Sequence, residues 1–294
     1  MHAPLRIPKA EPIDPLVHND FRVPGSALRF SVSCFGGSDW SMRNIYDSQD
    51  RYRYPDFALR LASAFAGVGA KDVYAPTPTK FNGEIALKSD LKTRIDLPLD
   101  VSLYRNPDFY ADGCHLSARA EAGAFSAGGC GVVMAAYNND LIFAHAGRES
   151  ILDRHQVLTH GTERSRRWDL VDHILIAIGA SDMSRLHLWP LYFIGPDEFV
   201  HSKDTDNQHH AKYNRAAMEY LPREYPDDFG WKNNDEIGID LARIFRAQAV
   251  KRGVPAENVH LEHADLHKEL PTTRNGGGST GRYLVVGVRH TSPR

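Results

Sequence analysis

The sequence predicts a mixed α/β domain in which a buried sheet is flanked by helices, and three observations lead there. Apolar runs of strand length recur along the chain, and amphipathic segments with helical spacing lie between them. The two best-defined runs, residues 131–137 and 141–145, are joined by the turn cluster Asn138, Asn139 and Asp140. With 42% hydrophobic and 24% charged side chains, the 294 residues can build a sizeable core.

The elements follow in order. Residues 1–26 carry five prolines and read as an extended arm ahead of a single domain over 27–294. Leu28 to Ser33 alternates into a strand ended by Gly36 and Gly37. Phe57, Leu61 and Phe65 recur at helical spacing until Gly67 and Gly69 stop the helix. Asp72 to Ala75 begins a strand broken by Pro76 and Pro78, and Leu97 to Tyr104 mixes strand and loop. Past the hairpin, Ser165 to Ala180 reads as a helix with Trp168, Val171, Ile174, Leu175 and Ile178 on one stripe. Leu186 to Ile194 returns as a strand, and residues 201–235 read as a polar surface excursion. Glu236 to Arg252 reads as a second amphipathic helix, Asn258 to Glu262 as a short strand and Tyr283 to Val288 as the closing strand.

Composition excludes several classes of function. The formal net charge is -2, with no basic stripe, so neither nucleic acid nor an anionic membrane is an expected partner. No run approaches the roughly 18 apolar residues of a membrane span, and the N-terminus lacks a signal-type apolar stretch. Cys34, Cys114 and Cys130 are too scattered for a disulfide framework or a CxxC zinc site. A reduced, cytoplasmic protein is expected.

The hairpin is where chemistry is expected. A turn centred between Asn138 and Asn139 makes paired residue numbers sum to 277, so Val132 faces His145 and Cys130 faces Gly147. Cys130, Val132, Met134, Leu141, Phe143 and His145 then share one face, while Gly131, Val133, Ala135, Ile142 and Ala144 share the other. Both faces are apolar, so the hairpin should be buried on both sides with Cys130 and His145 as diagonal neighbours, close enough for their side chains to meet. An adjacent imidazole can take the thiol proton and leave a nucleophilic thiolate. Gly128, Gly129 and Gly131 let a carbonyl approach closely, and nearby N–H groups can bind an oxyanion. The plainer alternative is a buried cysteine beside a satisfied core histidine.

Other signals carry less. Gly276 to Gly281 satisfies G-x-G-x-x-G but opens a strand instead of a helix, which suits a flexible loop better than a dinucleotide site. His260, His263 and His267 have metal-like spacing in a segment that reads as strand and loop. His209 and His210 read as solvated, and Cys114 and His115 would point to opposite faces of a strand.

From Ser31 to Arg289 the chain resembles the bacterial laccase-domain proteins, long labelled multicopper polyphenol oxidases and associated with purine nucleoside chemistry. The matching segments are Gly36-Gly37, Ala111-Asp112-Gly113, Cys130 after Gly128-Gly129, His145-Ala146-Gly147, Ile194-Gly195-Pro196 with Phe199, and Thr280-Gly281-Arg282. The resemblance implies zinc held by a cysteine, a histidine and a further histidine from a Gln-x-His-Gly motif. Here Asp72 to Lys80, where that histidine should lie, holds none, and His160 is a remote substitute. Cys34 replaces the arginine of the family's Arg-x-Gly-Gly loop, and Arg148 replaces the tryptophan after His-Ala-Gly. Cys130 followed by His145-Ala-Gly also resembles the metal-free glutamine deamidases of the cytotoxic necrotizing factor type.

Together these lead to an expected cysteine hydrolase that needs no metal or cofactor and acts on an amide, a small molecule or a protein side chain, by deamidating a glutamine-like carboxamide. Cys130 and His145 are the expected catalytic pair, with Gly129, Gly131, Gly36, Gly37, Arg148 and Arg282 around the oxyanion and substrate. The alternatives are a laccase-domain purine nucleoside phosphorylase or deaminase with an altered zinc site, and a non-catalytic binding module on the same fold.

Overall fold

A strand with two apolar faces fits only between two layers, and such strands make the centre of this molecule. The computed structural model describes residues 13–36, 40, 55–77, 84–106, 108–127, 130–163, 169–205, 208–265 and 283–290. The first half of the chain gives β1 (Val17–Arg22), β2 (Arg29–Phe35), α1 (Pro55–Gly67), β3 (Asp72–Tyr74), β4 (Ile85–Ala86), β5 (Thr93–Leu97), β6 (Val101–Arg105), β7 (Gly113–Leu116) and β8 (Glu121–Ala127). Then come β9 (Gly131–Tyr137), β10 (Asp140–Ala146), α2 (Arg148–Ile151), α3 (Arg154–Leu158), α4 (Leu170–Ile178), β11 (Leu186–Leu191) and β12 (Val200–Ser202). The chain closes with α5 (Gln208–Glu224), β13 (Phe229–Asn233), β14 (Glu236–Ile239), α6 (Leu241–Lys251) and β15 (Tyr283–His290).

Among the described residues these strands form three sheets. A seven-stranded sheet runs β1-β2-β15-β8-β3-β6-β5, a five-stranded sheet β11-β9-β10-β7-β4, and a small one β12-β14-β13. The two large sheets pack face to face, with Phe30, Val32, Phe125 and Val285 of one against Val132, Met134, Leu141, Phe143 and Trp189 of the other. Outside the larger sheet lies α1, whose Phe57, Leu61 and Phe65 cover Val73, Leu103 and Val286. Beyond the smaller sheet, Leu170, Ile174, Tyr213, Ile244 and Phe245 of α4, α5 and α6 cover Val133, Ala135, Ile142 and Ala144. The mixed α/β class is therefore as expected, and the buried sheet is two stacked sheets between helices.

The hairpin register agrees with the sequence in every pair: His145 faces Val132, Phe143 faces Met134 and Ala146 faces Gly131. Asn138 sits at φ 54, a left-handed value that asparagine tolerates better than most residues. One hairpin face meets the opposite sheet and the other meets the helices, which is why neither carries charge.

Several other expectations need correction. Residues 17–22, read as part of an extended arm, form edge strand β1, in which Phe21 pairs with Phe30. The 201–235 excursion contains α5, whose Ala211, Asn214, Ala217, Met218 and Leu221 recur at helical spacing along a buried face. The first residues of the helix expected over 236–252 form β14 instead, because Ile237 and Ile239 alternate into the core. Asp240 then caps α6 by accepting a hydrogen bond from the Arg243 N–H. The strand expected at 258–262 is only a bridge from Val259 to Leu188. Of the helix expected over 165–180, residues 170–178 are helical, and Trp168 lies outside the described residues.

A slot in the larger sheet brings the two sheets together beneath the hairpin. Gly123 and Gly287 pair directly, and the fully buried Phe143 ring lies over both. A Cβ on Gly123 would collide with Phe143 Cδ1 and stand 2.9 Å from Cys114 Sγ. Gly123→Ala is therefore expected to destabilise the fold by about 1–3 kcal/mol through overpacking. In chemical denaturation, Phe143→Leu should recover part of that loss when combined with it. Additive effects of the two changes would show that the slot is not what holds Phe143.

Candidate active site

The ends of β2, β8 and β10 and the starts of β7, β9 and β15 meet at one end of the sandwich. Cys130 stands one residue ahead of β9, and His145 is the penultimate residue of β10. Both are half-buried and lie on the face turned toward the opposite sheet, away from α4. Their side chains stand side by side: the position a Cβ would take on Gly147 lies 3.1 Å from His145 Cε1 and 3.8 Å from Cys130 Sγ.

Behind His145 stands a residue that the sequence pattern did not mark as catalytic. Asp112 precedes β7, which pairs with β10 in the register Ala144 to Gly113. The His145 N–H donates to the Asp112 carbonyl at 2.6 Å, and His145 Nδ1 lies 3.3 Å from Asp112 Oδ1. That contact commits Nδ1 and leaves Nε2 for the sulfur. Gly113 permits the approach: a Cβ there would lie 2.5 Å from Ile85 Cδ1 and 2.9 Å from Ala144 Cβ. The three side chains stand in the order nucleophile, base and orienting acid, the arrangement that activates a thiol.

Burial alone would lower the pKa of His145, but the Cys130 charge and the Asp112 hydrogen bond outweigh it and raise it to about 10. At neutral pH the imidazole is therefore protonated, and a cation beside a thiol favours its thiolate. Asp112 is fully buried, and burial pushes its carboxyl up to about 6 against the pull of His145. Its Oδ2 has no hydrogen-bond partner among the described residues, which accords with that cost. Phe125 closes the inner side, its ring centroid 6.0 Å from that of the imidazole. Gly147 keeps the other side open, since a Cβ there would stand 3.1 Å from His145 Cε1 and 3.8 Å from Cys130 Sγ.

The residues expected around the substrate fare unequally. Gly131 is required by packing, because a Cβ would lie 2.5 Å from Phe193 Cδ2. It also sits in the ladder opposite Ala146. Since the His145 N–H points to β7, Ala146 turns its own polar groups to β9, and the Gly131 N–H is committed there instead of to an oxyanion. The Arg148 guanidinium turns away into the helical layer. It bonds His201 Nδ1 and Asn214 Oδ1, each at 2.9 Å, and lies 4.4 Å from the Tyr213 ring centroid. Arg148 is thus a clamp on α5, and its expected substrate contact is corrected. Gly36 follows β2, and its carbonyl accepts from Trp40 Nε1 at 3.3 Å. Gly37, Gly128, Gly129, Arg282 and the 276–281 glycine run lie outside the described residues.

The remaining thiols and histidines have structural surroundings. Cys34 and Cys114 are sealed in the core, where burial pushes both thiols far up. His187 Nδ1 and His260 Nε2 are 3.1 Å apart, with ring planes 18° apart and centroids 5.4 Å apart. The rings therefore meet edge to edge in an N–H···N bond, in which one nitrogen donates its proton to the lone pair of the other, so neither nitrogen is turned to a metal. His160 Nδ1 lies 3.6 Å from Glu219 Oε2 in the helical layer, away from the hairpin.

Solved structures resemble this chain over nearly its whole length. YlmD from Geobacillus stearothermophilus matches with a TM-score of 0.58 and 15% identity, over 92% of this chain and 94% of that one. YfiH of Bacillus licheniformis, a hypothetical protein, gives 0.57 and 16%, over 91% and 98%. A Neisseria meningitidis protein of the DUF152 family model gives 0.55 and 14%, over 93% and 98%. These neighbours are laccase-domain proteins. The likeness is one of fold. No family model matches the sequence, and no curated protein does.

The zinc that the laccase-domain resemblance implies does not fit the residues present. Cys130 and His145 supply two donors, the His145 Nδ1 is taken by Asp112, and Asp72 to Lys80 contains no histidine. Among the described residues no group of three His, Cys, Asp or Glu side chains is placed to hold a metal ion. No described helix is long and apolar enough to cross a membrane.

Proposed function

We propose that the protein is a metal-independent cysteine hydrolase that deamidates a glutamine-like carboxamide. The Cys130 thiolate attacks the carbonyl carbon, and the bond to nitrogen breaks as the His145 imidazolium gives its proton to the departing ammonia. Water then adds to the thioester, the imidazole accepts its proton, and the carboxylate leaves as the thiolate is restored. The Cys130 N–H is the backbone donor for the oxyanion in this reading, a contribution of about 3 kcal/mol. Asp112 holds the imidazole in one tautomer and supports its charge. The observation that supports this reading is the alignment of Cys130, His145 and Asp112, with Cys130 Sγ beside the imidazole and His145 Nδ1 3.3 Å from Asp112 Oδ1.

Incubation with an electrophilic glutamine analogue, followed by peptide mass spectrometry, should place one adduct on Cys130. An unmodified Cys130 under conditions that label a free cysteine peptide would favour the binding-module alternative. The sequence resemblance to the laccase-domain proteins supports a second reading, a purine nucleoside phosphorylase or deaminase with an altered zinc site. Elemental analysis separates the two. The donor set leads to an expectation of far less than one zinc or copper per chain. One zinc per chain, resistant to mild chelation, would move the assignment to the nucleoside enzyme.

A further inference from the structure

We infer that Tyr283 is a positioning residue for the nucleophile. It fixes the Cys130 peptide so that the sulfur stays on the His145 side. The inference rests on the cysteine-hydrolase reading.

Cys130 occupies an awkward place in the chain. It follows Gly128 and Gly129 and precedes Gly131, three residues with little intrinsic backbone preference. The last rung of the β9–β10 ladder joins Gly131 to Ala146, so Cys130 lies one residue beyond the strand pairing that would hold it. Its carbonyl is instead held from the opposite sheet, by the Tyr283 hydroxyl, which donates to it at 2.8 Å.

The donor is well anchored. Tyr283 opens β15, pairs with Ala127 of β8, and points into the space between the sheets together with Val285. Its strand is bonded on both sides, to β2 and to β8. The ring is fully buried, and burial holds the phenol neutral far above the usual tyrosine range, so it remains a donor at any working pH. The Gly131 N–H of the same planar peptide lies in the β9–β10 ladder, so the Tyr283 bond to the Cys130 carbonyl is the second anchor of the plane from which the Cys130 side chain leaves. A nucleophile misplaced by about 1 Å can lose on the order of 100-fold in rate. One hydrogen bond at this point therefore has leverage beyond its contribution to folding.

Tyr283→Phe keeps the ring and removes only the hydroxyl. The test is the rate of alkylation of Cys130 by iodoacetamide as a function of pH, read by mass spectrometry beside the thermal midpoint. In the wild type the rate should stay high well below neutrality, because the thiolate persists beside the imidazolium. In Tyr283→Phe it should fall about tenfold at neutral pH, with its midpoint moved upward, while the thermal midpoint moves by only a few degrees. Amide turnover should lose kcat with little change in KM. Tyr283→Leu, which also removes the ring, serves as the packing control and should add a clear loss of thermal stability. An alkylation rate and midpoint in Tyr283→Phe equal to wild type would overturn the inference while leaving the hydrolase reading intact. A wild-type Cys130 that alkylates only as an ordinary thiol would instead overturn the hydrolase reading.

Discussion

Replacing Cys130 by alanine is expected to lower amide turnover by roughly 10,000-fold or more, because removal of a nucleophile leaves only what binding and backbone donors supply. The same change should remove all rapid labelling by iodoacetamide. Cys34 and Cys114 are 0% and 1% exposed, and their thiols are held protonated by burial, so neither can substitute. Cys114→Ala should cost stability without costing kcat, since that thiol packs between Tyr74 and the hairpin and approaches the Tyr74 and Phe143 carbonyls at 3.8 Å. Residual turnover in Cys130→Ala at even a tenth of the wild-type rate would mean that the activity resides elsewhere.

What could be read from the sequence followed from how local each contact is. The β9–β10 hairpin was legible because its turn residues lie beside its strands, and period two then assigns every side chain to a face. Helix α1 was legible because Phe57, Leu61 and Phe65 repeat within three turns and Gly67 and Gly69 follow. Asp112 was not, although Ala111-Asp112-Gly113 stood out as a motif. Its contact with His145 depends on β7 pairing with β10 across the intervening β8 and β9, and nothing in the local pattern announces a partner some thirty residues away. The clue was Gly113, a glycine in an otherwise ordinary strand, which marks a close approach of another backbone. Helix α5 was missed because its apolar face is built largely from Ala211, Ala216, Ala217 and Tyr213 among charged residues. A dilute stripe of that kind resembles a polar loop until it is counted by period. Arg148 was misread for a related reason: its position after Gly147 suggested the substrate, whereas its partners His201 and Asn214 lie more than fifty residues further along.

Asp112→Asn is expected to lower turnover by about 100- to 10,000-fold, because an amide can present its N–H to the imidazole and select the wrong tautomer. The pH dependence makes this specific. Below about pH 10 the wild-type His145 keeps the proton that the leaving ammonia needs, so activity should persist through pH 9 and fall as pH rises past about 10. The Asp112 hydrogen bond and charge are among the causes that raise His145, so Asp112→Asn must move this alkaline limb to lower pH. Stability follows a different course. The folded His145 holds its proton more tightly than the unfolded chain, so its contribution is full below about pH 6.5 and is lost as pH rises through about 10. Asp112 also binds its proton more tightly when folded, up to about 6 against 3.8. For a buried acid this means a cost that grows between those values and persists above them. Asparagine removes that cost together with part of the His145 contribution. The thermal midpoint at pH 7 should therefore shift by only a few degrees while turnover collapses. A variant that unfolds at pH 7 would make Asp112 a structural residue, and one that keeps both the rate and the alkaline limb of the wild type would remove it from the catalytic line altogether.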